Sequence, residues 1–230
     1  MLVRSVPATV ASRLRRELVA DVVDVPVRGH VPFSAASASV LGLLIVQGLL
    51  LRSVAAAGRR TVELLGPGDL VRPWQDDGPL AVLPSASAWA ALEPTRLIVL
   101  DGEFAAVAYR FPGIADELLR RVIERSHALA VRLAIASIPS LPQRLLALLW
   151  HLADRWGIVE PDGVRIPLRL SHQVLAELVC AQRPSVTVAV KELVGAGQAS
   201  RVAGGWLLLG AMPALEADVS APHLAALAAM

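Results

Sequence analysis

The sequence has a single cysteine, Cys180, in 230 residues. One thiol excludes an intrachain disulfide and every iron–sulfur or zinc site that needs several cysteine ligands. The five histidines are scattered without the HxH or HxxxH spacing of a metal site, so we predict no bound metal. A chain so poor in cysteine suits a reducing compartment, and we expect it in the cytoplasm.

Long hydrophobic runs are also missing. The mean hydropathy is high, at +0.56, but the best candidate for a membrane span, Val40 to Leu51, has only 12 residues and contains Gln47 and two glycines. A spanning helix needs about 20 apolar residues. The first residues are interrupted by arginines and lack the apolar stretch of a secretory signal. We therefore expect a soluble protein with no membrane partner.

Charge of one sign is not in excess. The chain carries 22 basic and 20 acidic residues, for a net charge of +2, and Lys191 is its one lysine. This balance does not by itself indicate a nucleic-acid-binding protein, so any basic surface must be local. The sequence contains no phosphate-binding P-loop, nucleophile elbow or evident pair of catalytic carboxylates. We therefore predict that the protein is not an enzyme and has no catalytic residue.

The segment from Val22 to Tyr109 consists of short apolar runs separated by glycine and proline. Such β-capable runs, with turn signals about every eight to twelve residues, are typical of an antiparallel sandwich or barrel. A chain reversal is expected at Gly58-Arg59, and residues 66–69, Gly-Pro-Gly-Asp, form a tight-turn sequence with two glycines free to take positive φ. This half of the chain therefore predicts a small antiparallel β-roll.

A long helix is predicted from Ile114 to about Ser137, where glycine and proline are absent. Its apolar residues recur at helical spacings of four, seven, four and three: Leu118, Val122, Leu129, Leu133 and Ala136. Four arginines are expected on or beside the flanks of this seam, in contact with water: Arg120, Arg121, Arg125 and Arg132. Periodicity alone allows two interpretations, a helix packed on its own sheet and a helix that pairs with a second copy.

The elements become shorter after Pro139 and Pro142. The predicted order is a helix at 143–157 closed by Gly157, a strand at 164–170 in which Pro167 indicates a sheet edge, two short helices within 171–193, and a hairpin around Gly204-Gly205. A winged helix has this order of elements: helix, strand, helix, turn, helix and hairpin.

The two short helices carry the most specific pattern. Ser171 is a predicted N-cap, and Val174, Leu175 and Leu178 then share one buried side. The second helix should begin near Arg183-Pro184 and bury Val186, Ala189, Val190 and Leu193. Its outward residues would be Arg183, Ser185, Thr187, Val188 and Lys191, which suit the major groove chemically. Spacing alone also allows a helical hairpin with a solvated face, and the following β-hairpin favours the DNA-reading alternative.

Residues 170–193 with the later GGWLLLG segment resemble the helix-turn-helix of the Crp/Fnr family of bacterial transcription factors, especially its actinobacterial members. The upstream segment LIVQGLLLRSVAAAGRRTVELLGPGDLVRPW resembles that family's cyclic-nucleotide-binding β-roll, and the resemblance extends over about 22–210. It implies an α+β fold in four parts: a β-roll sensor domain at 1–112, a dimerisation helix at 113–139, a winged helix-turn-helix at 140–215 and a C-terminal tail at 216–230.

The resemblance also implies roles in DNA binding. The implied set is Ser171 and Gln173 near the DNA backbone, Arg183 as a base-reading arginine, Ser185 as a phosphate contact, Lys191 on the outer flank, and Pro184, Thr187 and Val188 on the same helix face. Pro184 and Val188 depart from the family, where an acidic residue and a second arginine are common, so an operator like that of the best-known members is not expected. Cys180 stands where the turn often has glycine, and we interpret it as structural rather than redox-sensing.

The effector site departs further from the family. Members that bind cyclic nucleotide have a Gly-Glu pair for the ribose and an arginine followed by small residues for the phosphate, and neither occurs at 68–74 or 84–89. A buried phosphate without a cation is costly to desolvate. We therefore expect no response to cyclic AMP and no cofactor. Candidate effector contacts are Gly68, Asp69, Arg72, Trp74, Ser85 and Ser87.

The sequence thus predicts a homodimeric, sequence-specific regulator of transcription. The long helix would pair two subunits through Leu118, Val122, Leu129 and Leu133. Two recognition helices would then read an inverted repeat in double-stranded DNA, in major grooves about 34 Å apart. RNA polymerase is a further expected partner. The alternative is a ligand-binding or protein-interaction module whose winged helix no longer binds DNA.

Overall fold

A computed structural model describes residues 19–31, 41–74 and 82–211. The strands of the N-terminal part are β1 Val22–Val25, β2 Gly42–Gln47, β3 Leu50–Ala56, β4 Arg59–Leu65, β5 Leu70–Val71, β6 Ser85–Ala91 and β7 Thr95–Leu100. Helices α1 Gly102–Ala108 and α2 Pro112–Ala136 follow. The C-terminal part contains α3 Leu141–Trp156, β8 Ile158–Glu160, β9 Gly163–Ile166, α4 His172–Leu178, α5 Arg183–Gly195, β10 Ala199–Val202 and β11 Gly205–Leu208.

The N-terminal strands form two antiparallel sheets, with strand orders β1-β7-β2-β5 and β4-β3-β6. Strands of both sheets contribute to one apolar core, in which Leu43, Ile45, Leu50, Leu65 and Leu97 are buried. Removal of these side chains from water is the main force that holds the two sheets together. The predicted antiparallel β-roll is confirmed.

Both predicted turns are present. Ala57 and Gly58 have φ of 48° and 70°, and they close a two-residue hairpin between the paired residues Ala56 and Arg59. This reversal lies one residue earlier than expected. In the second turn the Asp69 amide donates to the Gly66 carbonyl (3.0 Å), and the Gly66 amide donates to the Asp69 carboxylate (2.8 Å).

Helix α1 was not predicted, because the β-rich segment was expected to continue to Tyr109. Asp101 caps this helix by accepting a hydrogen bond from the Phe104 amide (2.8 Å). Phe104 and Ala108 are buried with Leu44 and Ile114 in a cluster that joins the strands to the start of α2. The β-roll therefore ends at Leu100 in β7.

The arginines of the long helix correct the sequence prediction. Arg125 donates two hydrogen bonds to Glu63 of β4 (2.7 and 2.8 Å), and Arg121 donates to the Gly68 carbonyl (2.9 Å). Arg132 donates to the Val62 carbonyl. These three side chains lie against the β-roll instead of in water. These polar contacts pack the helix on its own sheets, in addition to apolar contacts of Ile114 and Ile135.

The C-terminal part is a helical core closed by a small sheet of order β10-β11-β9-β8. Leu145, Leu148 and Leu149 of α3 pack in one cluster with Trp206 of β11. Pro167 does not mark a sheet edge, because β9 lies between β11 and β8 and ends before this proline. Gly157 ends α3 with φ of −68°, so no left-handed conformation is needed there.

The C-terminal part also packs on the β-roll. Val62 and Leu64 of β4 belong to the same apolar cluster as Leu175 of α4. Arg155 of α3 forms an ion pair with Asp69 (2.8 Å). No helix in the described ranges is long and apolar enough to cross a membrane. The predicted tail, 216–230, lies outside the described residues.

Candidate nucleic-acid interface

The turn between α4 and α5 has the predicted local geometry. Ser171 caps α4, its hydroxyl accepting a hydrogen bond from the Val174 amide (3.2 Å). Cys180 has φ of 53°, a left-handed conformation that glycine adopts more easily. The thiol is free and exposed, so Cys180 is not a buried core residue. Its structural role is limited to the backbone of the turn.

Helix α5 begins at Arg183, as predicted, and Pro184 lies in its first turn, where a missing amide proton costs no helical hydrogen bond. The predicted inward residues are all buried: Val186, Ala189, Val190 and Leu193. The opposite face exposes Arg183, Ser185, Val188 and Lys191. A helix anchored by one apolar stripe thus presents a guanidinium, a hydroxyl and an ammonium group to solvent.

Thr187, a predicted DNA contact, makes two contacts within the protein. Its hydroxyl donates to the Arg183 carbonyl (3.1 Å) and lies 3.0 Å from Nδ1 of His172. Because the hydroxyl proton is already used, Nδ1 of His172 must be the donor in the second contact. Thr187 therefore fastens the start of α5 to α4, and the neutral His172 ring carries no proton on Nε2.

The hairpin of β10 and β11 forms the wing. Gly204 has φ of 87° in its turn, as the glycine pair predicted. The Arg201 guanidinium lies over the buried Trp206 ring, 4.6 Å from its centroid, which holds the arginine in place. Arg201 is exposed and borders the same concave surface as Arg183.

This concave surface is lined by Ser171, His172, Gln173, Arg183 and Arg201. The pKa of His172 is lowered, because burial disfavours the charged ring and because Arg201 and Arg183 repel a further proton. The two guanidinium groups of Arg183 and Arg201 make this surface electropositive. Three of its residues were predicted DNA contacts, while His172 and Arg201 were not. Little in the sequence indicated these two residues, because His172 is a lone histidine and Arg201 lies on a separate hairpin.

The predicted dimerisation residues differ in their exposure to solvent. Leu118 is half-buried and packs on the cluster that contains Phe104, whereas Val122, Leu129 and Leu133 are exposed. Leu119, which is 59% exposed, lies on the exposed face in place of Leu118, next to Val122, which is 49% exposed. The described structure thus leaves an apolar face on α2 from Leu119 to Leu133.

The predicted effector residues are not gathered at one place. Gly68 and Asp69 build the turn that contacts α2 and α3. Arg72 is exposed and lies 6.0 Å from the centroid of the Trp74 ring. Ser85 and Ser87 are exposed on β6. Within the described ranges no group of three or more metal-binding side chains is present.

Comparison with known proteins agrees with this architecture. Residues 143–217 match a family model described as a Crp-like helix-turn-helix domain. Over 182 residues the chain is 27% identical to a CRP-like cAMP-activated global transcriptional regulator of Mycobacterium tuberculosis, covering 76% of this chain and 78% of that protein. This relative is named as a regulator of transcription.

Two solved structures share the fold. FixK2 from Bradyrhizobium japonicum superposes with a TM-score of 0.65 at 16% identity, covering 88% of this chain and 100% of that chain. A CooA variant from Carboxydothermus hydrogenoformans superposes with a TM-score of 0.63 at 18% identity, covering 84% of each chain. With N-terminal antiparallel sheets, a central helix and a C-terminal helix-turn-helix, the chain is similar to transcriptional regulators of the Crp/Fnr family, and its residues 143–217 carry a Crp-like helix-turn-helix domain.

Proposed function

We propose that this regulator is a homodimer that binds a specific inverted repeat by placing α5 in the major groove. The observation that carries the proposal is the division of α5 into a fully buried apolar face and an exposed face with Arg183 at its first turn. The N-terminal end of a helix held crosswise on another helix is the part that reaches base edges.

The exposed residues suit distinct parts of DNA. Arg183 has the donor geometry for a bidentate contact with guanine, and Val188 suits a thymine methyl group. Ser171, Gln173 and Arg201 border the electropositive surface beside α5, where phosphate groups would be held. Lys191 adds a cation on the outer flank of the helix. Base reading thus falls to α5, and positioning on the backbone falls to α4 and the wing.

The sequence-based division of the chain stays a proposal: a sensor domain at 1–112, whose β-roll ends at Leu100, a dimerisation helix at 113–139, the DNA-binding domain at 140–215 and a tail at 216–230. An exposed apolar face on the long helix supports pairing of two copies. RNA polymerase remains the further predicted partner.

The β-roll of this regulator does not respond to cyclic AMP. The Asp69 carboxylate is already bonded to the Gly66 amide and to Arg155, so it is not free for a ribose. Ser85 and Ser87 are exposed on β6, and no arginine accompanies them in that strand. The response to cyclic AMP in the name of the mycobacterial relative is thus not carried over to this chain.

Selection of bound sequences from a random duplex library tests the proposal. We expect the full chain to enrich an inverted repeat with half-sites one helical turn apart, with the same motif when cyclic AMP is present. Arg183→Ala should lose the motif, whereas Arg59→Ala, at an exposed arginine that begins β4, should keep it. Affinity for the motif should fall with salt by roughly 0.9 log units per phosphate contact for each log unit of salt.

Failure of the full chain to enrich any sequence would favour the alternative function, a protein- or ligand-binding module that no longer binds DNA. A motif that appears only with cyclic AMP would contradict the proposal about the β-roll. A motif retained by Arg183→Ala would contradict the assignment of base reading to α5.

DNA binding should also depend on pH through His172. A phosphate near Arg183 and Arg201 offsets their charges, so the lowered pKa of His172 should rise on binding. Formation of the complex then takes up protons at His172. The affinity for DNA must therefore increase as the pH falls towards the pKa of His172 in the free protein. We expect the affinity for the selected duplex to rise roughly tenfold from pH 7.5 to 6.0. His172→Gln should flatten this dependence, and an unchanged slope in that variant would contradict the role of His172.

A further inference from the structure

A cavity of about 560 Å³ lies where the β-roll, α2 and α3 meet. It is separate from the DNA-facing surface between α4, α5 and the wing. Leu64 of β4 and Leu152 and Trp156 of α3 supply apolar walls. Its volume falls within the roughly 300–1,000 Å³ typical of sites for small molecules.

Three of the four arginines that line this cavity are neutralised by carboxylates. These pairs are Arg125 with Glu63 (2.7 Å), Arg155 with Asp69 (2.8 Å) and Arg121 with Glu117 (2.5 Å). Arg132 is the exception, because no carboxylate within the described ranges forms an ion pair with it. Its Nη2 donates to the Val62 carbonyl, and its buried Nε has no hydrogen-bond partner in the same ranges.

The charge of Arg132 is therefore poorly compensated. Burial lowers its pKa, and Glu63, which opposes this effect, is already bonded to Arg125. A buried cation without a paired anion is costly, and an anion placed beside it recovers much of that cost. Glu63, Glu124 and Asp154 also line the cavity, but no described carboxylate forms an ion pair with Arg132.

Two histidines extend the polar part of the cavity. His127 lies on α2 and His151 on α3, and both line the cavity together with Arg132. The pKa of His151 is lowered by burial; Asp154 opposes the shift, and Arg132 and His127 add to it. Imidazole N–H groups can donate to an acid group held at Arg132.

We propose that this cavity binds a small organic anion, with its acid group at Arg132 and its apolar body against Leu152 and Trp156. The ligand would contact α2 and α3 together, so it would join the long helix to the first helix of the C-terminal part. A ligand that fixes this contact would bias the position of the DNA-binding helices. Only this last consequence rests on the proposed DNA-binding function.

The amphipathic sulfonate 8-anilinonaphthalene-1-sulfonate is a suitable probe, because it combines one negative charge with an aromatic body. We expect fluorescence titration of the folded, full-length protein to show one saturable site. Arg132→Gln should weaken binding about tenfold or more, since a charge-assisted contact is lost. Arg132→Lys should retain most of the affinity, and Arg59→Gln, at an exposed arginine, should leave it unchanged.

A second variant tests the location without changing charge. Ala128 lines the cavity from α2, so Ala128→Phe should fill it and abolish saturable binding while circular dichroism shows a folded protein. Leu133 lies on the exposed face of α2 and outside the cavity lining. If Leu133→Gln loses the probe while Arg132→Gln binds it within twofold of wild type, the site is on that face and the proposal is wrong. No saturable binding by wild type also overturns it. The fluorescence titrations and the circular dichroism spectra are all recorded without DNA, so their outcome does not depend on DNA binding.

Discussion

Replacement of Glu63 by glutamine is expected to lower the free energy of unfolding by about 3 kcal/mol or more. Glu63 is only 8% exposed, accepts two hydrogen bonds from Arg125 and lies 3.8 Å from Arg52. Burial alone would lower the pKa of Arg125, and the hydrogen bonds to Glu63 reverse this effect and raise it. Loss of the carboxylate leaves the partly buried guanidinium of Arg125, between β4 and α2, without its anion.

The exposed pair of Asp24 and Arg96 provides a matched control. Arg96 also donates two hydrogen bonds to one carboxylate, that of Asp24, at 2.8 and 3.1 Å, and this exposed pair joins β1 to β7. Because water screens exposed pairs, Asp24→Asn should leave the denaturation midpoint close to that of wild type. Urea denaturation of both variants at pH 7, followed by circular dichroism, makes the comparison. Equal losses in the two variants would show that burial of the Glu63 pair is not what makes it important.

Substitution of Val122 by glutamate is expected to separate the proposed dimer. The exposed apolar face of α2 places Leu119, Val122, Leu129 and Leu133 at spacings of three, seven and four, which suits a paired helix. In a two-fold symmetric dimer each substitution acts twice, so two carboxylates would be buried without partners. We expect dissociation to become at least about 100-fold more favourable. Affinity for an inverted repeat should fall with it.

Val159→Glu is the matched control, because Val159 is 85% exposed in β8 and far along the chain from α2. Sedimentation equilibrium at micromolar concentration should show a dimer for wild type and Val159→Glu, and a monomer for Val122→Glu. A monomeric wild type would contradict the dimer. A dimeric Val122→Glu would show that the subunits pair through a different surface.

Features that depend on neighbouring residues were readable from the sequence. The apolar repeat of α5 predicted its four buried residues, because side chains three and four apart share one face of any helix. The Ser171 cap and the glycine turn of the wing depend on a few adjacent residues in the same way. The antiparallel β-roll followed from β-capable runs separated by turns.

Features that depend on distant residues were not readable. Arg125 is near Glu63 only after β4 packs against α2, so a flanking arginine was expected in water. Arg201 and His172 meet Arg183 only when the wing folds beside α4. The helix α1 and the short strand β8 were missed because few residues carry their signal.

The sequence by itself determined the order of the elements, the buried face of α5 and the resemblance to a family of regulators. The tertiary structure decided which charges are buried, which apolar face of α2 is exposed and where the cavity lined by Arg132 lies. The physical reason is the separation along the chain of the residues that interact. Periodicity and capping act over a few residues, whereas ion pairs and cavities are created by segments that are brought together only when the chain folds.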